Sequence, residues 1–95
     1  MVTSVHLGFR VADYEPWKRS FDEHLEARKA GGEISYQVFR SVDDPNRLTV
    51  ITVHDNAEQV RAFLDSPELK TAMQSAGVLE MGPMMVMEEV DRGVH

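Results

Sequence analysis

The chain predicts an α+β domain with the ferredoxin-like order β-α-β-β-α-β: an antiparallel sheet with both helices on one face. Three observations carry this. The second half runs from a helix opened by Asn56, through a restart at Ser66-Pro67-Glu68-Leu69, to an apolar strand at Met84-Met85-Val86-Met87. The first half repeats the plan of strand, capped helix and strand. A turn of strong character, Asp43-Asp44-Pro45-Asn46, then joins two alternating segments as a hairpin.

Residues 4–11 alternate, with Val5, Leu7, Phe9 and Val11 on one side and His6, Gly8 and Arg10 on the other, which is the pattern of a strand. Asp13 is a natural N-cap, and Pro16 is tolerated in a first helical turn, whose amides lack partners anyway. Tyr14, Trp17, Phe21, Leu25 and Arg28 recur at spacings of three and four and lay one stripe along a helix that Gly31-Gly32 ends. Glu15 and Arg19 are placed to pair on its outer side. Ile34, Tyr36 and Val38 alternate with Ser35, Gln37 and Phe39 in a second strand. Leu48, Val50 and Thr52 alternate with Thr49, Ile51 and Val53 in a third. Asn56 caps the next helix, with Gln59 at the third position of a capping box. Ser66 and Pro67 read as a new cap and first helical residue, so this helix breaks near Asp65. Leu69, Ala72, Met73 and Ala76 supply the apolar face of the second piece, and Gly77 stops it. Gly82-Pro83 introduces the last strand, which runs to about Val90. One domain spans residues 1–95, with short tails at 1–3 and 91–95.

Such a sheet should show water one polar face. Instead Phe39, Ile51, Val53, Met85 and Met87 fall on one side, and Leu7, Phe9, Val38, Val50 and Val86 on the other. A sheet apolar on both faces needs a second cover, and the simplest is another copy of itself. The expectation is a homodimer paired sheet to sheet. Size agrees, since a domain of 95 residues buries only roughly 60–65% of its unfolded surface and gains from association.

The net charge is −6, with acids interleaved among the bases, so neither nucleic acid nor an anionic membrane is an expected partner. The absence of Cys removes disulfides, thiolate metal sites and Cys nucleophiles. No stretch approaches the ~20 apolar residues of a spanning helix, and no secretory leader is visible, so the expected location is cytoplasmic.

The tracts Val11-Ala12-Asp13-Tyr14-Glu15-Pro16-Trp17 with Phe21, and Ala62-Phe63-Leu64-Asp65-Ser66-Pro67-Glu68-Leu69 leading to Ala72-Met73 and Ala76-Gly77-Val78, resemble the dimeric α/β-barrel superfamily. Within it the chain looks most like the antibiotic biosynthesis monooxygenase domains. The resemblance covers nearly the whole chain and implies a dimeric barrel. Members include cofactor-free oxygenases of polyketide quinones, haem-degrading enzymes and lactone isomerases. The haem-degrading members combine an Asn on the first strand with a Trp and a His in the second half. Here the first strand carries His6, no Trp follows residue 17, and His54 stands where relatives often have Trp.

His6 and Arg10 flank Gly8 on one face of a central strand, where they could hold an anionic or enolic ligand; equally, they could be interface residues, with Arg10 bridging to an acid such as Glu89. His54 could be a general base at a pocket mouth or a residue of the strand-to-helix junction. Trp17 and Tyr36 are candidate pocket walls, although aromatic residues at helical spacing also serve as core. Metal ligation is not expected, because Glu88 and Glu89, as strand neighbours, point to opposite faces. No cofactor motif is present. The functional expectation is a homodimer that binds a small apolar or aromatic metabolite and acts as a cofactor-independent monooxygenase or isomerase, with His6, Arg10 and His54 as polar residues. The alternative is a non-catalytic, stress-associated or structural dimer. A cavity of roughly 300 Å³ or more separates the two.

Overall fold

A computed structural model describes residues 3–95. The elements are β1 (Thr3–Val11), α1 (Tyr14–Glu23), α2 (Leu25–Ala30), β2 (Glu33–Arg40), β3 (Arg47–His54), α3 (Ala57–Leu64), α4 (Pro67–Ser75) and β4 (Val78–Glu88). The strands form one antiparallel sheet in the order β2-β3-β1-β4, as the ferredoxin-like arrangement requires. Thr3, expected in a leading tail, is already paired with His54 and Glu88; Met1 and Val2 lie outside the described residues.

Alternation along β1 fixes what each face carries. Val5, Leu7, Phe9 and Val11 are buried beneath the helices, together with Leu48 and Val50 from β3 and Trp17 from α1. Trp17 stands 5.3 Å from Phe9 and stacks on Phe21 at 5.0 Å, and Phe21 meets Tyr36 edge-on at 5.1 Å. An aromatic row therefore runs from the sheet centre to β2. His6, Gly8 and Arg10 point to the opposite, uncovered face. There Phe39 is 49% and Met85 48% exposed.

The second half follows the capping chemistry. Asn56 Oδ1 accepts from the Gln59 amide at 2.9 Å, and Ser66 Oγ accepts from the Glu68 amide at 3.2 Å, so α3 and α4 are two helices meeting at Asp65-Ser66. The chain departs from expectation in three further places. The single helix expected up to Gly31 is broken at His24. The ring Nδ1 donates to the Ser20 carbonyl at 2.7 Å and shares that acceptor with the residue's own amide. A side chain bound to the backbone in this way competes with the helical ladder. After the break the stripe rotates, leaving Leu25 exposed and Arg28 buried. Lys18 with Asp22, rather than Glu15 with Arg19, makes the i,i+4 pair on α1. Finally, β4 starts at Val78, and Gly82-Pro83 lies inside it. The register slips there between Leu7 and Phe9, and a Cβ on Gly82 would come within 3.0 Å of the Gly8 carbonyl oxygen. A bulge on an edge strand accommodates a proline that cannot donate to the ladder.

Candidate functional site

Between the sheet and the helical layer lies a cavity of about 620 Å³. Both broken helices arch over it. Its walls are mainly apolar, among them Leu7, Trp17, Phe63, Leu69, Met73 and Met84. His24, Glu68 and Ala72 line both this cavity and a shallower groove on the outside, and so mark its mouth.

One end of the cavity is polar, and a local irregularity builds it. The register between β2 and β3 slips at Ile34, so that Glu33 sits opposite His54 while Ser35 sits opposite Val53. The bulge turns Glu33 to the helix side and leaves Ile34 exposed. The Glu33 carboxylate, with its side chain only 4% exposed, accepts from Arg28 Nε at 3.0 and 3.1 Å. Arg28 lies with its guanidinium 3.6 Å from the Phe21 ring centroid, and its Nη1 donates to the Phe21 carbonyl. The remaining nitrogen, Nη2, is buried and has no hydrogen-bond partner among the described residues. His54 is 4% exposed. Its Nε2 shares a 2.8 Å hydrogen bond with the Thr52 hydroxyl, whereas Nδ1 is likewise buried and unpartnered. Burial holds the His54 pKa below the ordinary histidine value; the Glu33 charge and the nearby Gly32 backbone oppose this only in part. The ring is therefore neutral at physiological pH. Gly32 lies close to His54 but outside hydrogen-bonding geometry to Nδ1.

The expected site residues thus divide. His54 and Trp17 line the cavity. Tyr36 stands just outside its lining, against Phe21 and 5.3 Å from the Arg28 guanidinium. His6 and Arg10 lie on the other side of the sheet. His6 sits between Ile51 and Met85 and bonds Ser4 Oγ at 3.0 Å; Arg10 meets Asp44 at 3.6 Å, while Glu89 is taken by Arg92. Within one protomer the sheet separates this pair from His54. The residues that sequence reasoning missed are Arg28 and Glu33. A cation inside an otherwise apolar helical stripe was the available sign of Arg28; nothing local marked Glu33.

A split β-α-β sheet with an apolar cavity under its helices defines an α+β domain of the ferredoxin-like class. A family model described as antibiotic biosynthesis monooxygenase matches residues 14–75, and the chain belongs to that family. No curated protein matches it in sequence. Among solved structures it is similar to SnoaB, a cofactor-independent oxygenase from Streptomyces nogalater, with a TM-score of 0.74 at 15% identity over 96% of this chain and 94% of that one. Rv0793 from Mycobacterium tuberculosis gives 0.70 at 14% identity, covering 99% and 100% of the two chains. A conserved protein from Methanosarcina mazei gives 0.72 at 15%, covering 94% and 93%. Identities this low speak to the shared fold.

Proposed function

We propose that the protein binds a small apolar or aromatic metabolite in the cavity beneath its helices and oxidises it as a cofactor-independent monooxygenase. The carrying observation is the cavity itself: about 620 Å³, apolar over most of its wall, with Arg28, Glu33 and His54 gathered at one end. That volume lies within the range of small-molecule sites and well above what a solidly packed structural module would leave. Family membership and the likeness to an oxygenase fold support the same reading.

An oxygenase without a cofactor takes its electrons from the substrate. For an activated methylene, one oxygen atom of O₂ becomes the new carbonyl and the other leaves as water with the two methylene hydrogens. The protein's part is to hold the substrate dry and to take the first proton. His54 is the candidate for that step, since it lines the cavity with a neutral ring held through Nε2 by the Thr52 hydroxyl. Trp17 forms the wall alongside. The uncovered sheet face pairs with a second copy, placing His6 and Arg10 at the interface between protomers. Native mass spectrometry of protein purified without denaturation tests both parts. A dimer retaining an organic molecule is expected. A monomer overturns the sheet-to-sheet pairing, and a ligand-free dimer that binds no aromatic compound points to the non-catalytic alternative.

A further inference from the structure

We propose that Arg28 is the specificity-determining residue of the cavity, using its free Nη2 to select uncharged ligands that carry a carbonyl oxygen over carboxylate ligands of the same shape. The inference rests on the cavity being a ligand site, as argued above.

The reasoning is an account of donors and charges. Arg28 is 7% exposed and has five N–H donors and no acceptor. Nε is spent on Glu33 and Nη1 is engaged by the Phe21 carbonyl, whereas Nη2 has no partner among the described residues. An unmet donor on a buried cation calls for an acceptor. Nη2 has no surface open to water, so a ligand oxygen that reaches it gains this bond without displacing a solvating partner. The charge at this end is already balanced. Arg28 is matched by Glu33, and the neighbouring His54 is neutral. Glu68 and His24, the other ionisable groups lining the cavity, lie at its mouth. A carboxylate would bring an uncompensated charge into an apolar enclosure close to Glu33, at a large desolvation cost. A carbonyl brings an acceptor and no charge. When His54 takes a proton from the adjacent carbon, the electron pair moves onto that oxygen, and the imidazolium and enolate together stay neutral.

Three probes of one ring skeleton separate the possibilities: 9-fluorenone with a carbonyl, fluorene with no acceptor, and 9-fluorenecarboxylate. Equilibrium dialysis against the full chain should show 9-fluorenone binding about 10- to 100-fold tighter than fluorene, the range of a hydrogen bond to a charged donor. The carboxylate should bind no tighter than fluorene. Because Arg28→Leu alone leaves Glu33 unpaired and endangers folding, the paired variant Arg28→Leu with Glu33→Leu is the second arm. Its preference for 9-fluorenone over fluorene, taken as the ratio of the two dissociation constants, should fall at least tenfold. Equal binding of 9-fluorenone and fluorene, tightest binding of the carboxylate, or an unchanged preference in the paired variant overturns the assignment of Arg28 alone. Failure of all three probes to bind overturns the cavity reading along with it.

Discussion

Replacing Arg28 by Leu tests how the polar end of the cavity is held. In the wild type, Arg28 and Glu33 have side chains 8% and 4% exposed and are joined by two hydrogen bonds from one nitrogen. Removing the cation leaves the Glu33 carboxylate buried without its counter-charge. Breaking a buried pair from one side costs about 3–5 kcal/mol. A domain of 95 residues holds about 5–14 kcal/mol in total, so the loss is a large fraction of its stability. At roughly 4–8 °C per kcal/mol, the melting temperature should fall by roughly 12–40 °C. The paired replacement, Arg28→Leu with Glu33→Leu, removes both charges and should return to within about 1 kcal/mol of wild type, or exceed it. Urea and thermal unfolding at one fixed protomer concentration complete the cycle, since association would otherwise shift the midpoints. A single variant costing under about 1 kcal/mol would show that Glu33 is solvated and the end of the cavity open. A paired variant as unstable as the single one would show that packing on Phe21, and not charge pairing, is what Arg28 contributes.

Leu48, 1% exposed at the sheet centre, should cost about 3–5 kcal/mol when truncated in Leu48→Ala, read as a lower urea midpoint with an unchanged slope. The lowered His54 pKa gives a pH dependence of definite sign. Below about pH 6.5 the unfolded chain takes up the proton before the folded one, so stability is full above that pH and falls as the pH drops toward the folded-state pKa. His54→Gln should flatten this part of the stability curve. On the uncovered face, Ile51→Lys places a charge between His6 and Gln37 and should shift the sedimentation coefficient from dimer to monomer without loss of far-ultraviolet dichroism; a dimer that survives it does not pair through this face.

Most of the architecture was legible because it rests on local rules. Alternation in β1 and β3, the turn at 43–46 and the caps at Asn56 and Ser66 each act within a few residues, and the structure keeps them. The apolar character of both sheet faces was legible for the same reason. What escaped were features set by long-range register. The bulge at Ile34 depends on how β2 lies along β3, and it alone turns Glu33 toward Arg28 and His54. Gly82-Pro83 reads locally as a boundary; only the close approach of Gly8 across the sheet makes it a bulge inside β4. The break at His24 arises from one ring bonding a carbonyl one turn back, a choice that propensity does not register. Site residues depended on these details: Trp17 followed from the helical stripe, whereas Arg28 and Glu33 required the register.

The two breaks of the helical layer and two of the register slips of the sheet then have connected consequences. Had α1 continued through His24, and α3 through Asp65, two straight helices could have lain close along the sheet, with their stripes filling the space now left to the cavity. The breaks turn each cover into two short arms. The arms leave volume between themselves and Leu7, Phe9 and Val50, and they put His24 and Glu68 at the opening. The bulge in β2 supplies that volume with a polar end, and the bulge in β4 lets the strand carrying Met81 and Met84 to the cavity run past Gly8. On the other face the pleat presents His6, Ile51, Val53, Met85 and Met87, with no helix over them among the described residues. Burying that face against a second copy would use the apolar side chains a small core leaves over. It would do so without filling the cavity, since the two lie on opposite sides of the sheet. Under the proposed function, association and ligand binding would draw on alternate residues of the same strand, His6 and Arg10 for the first and Val5 and Leu7 for the second.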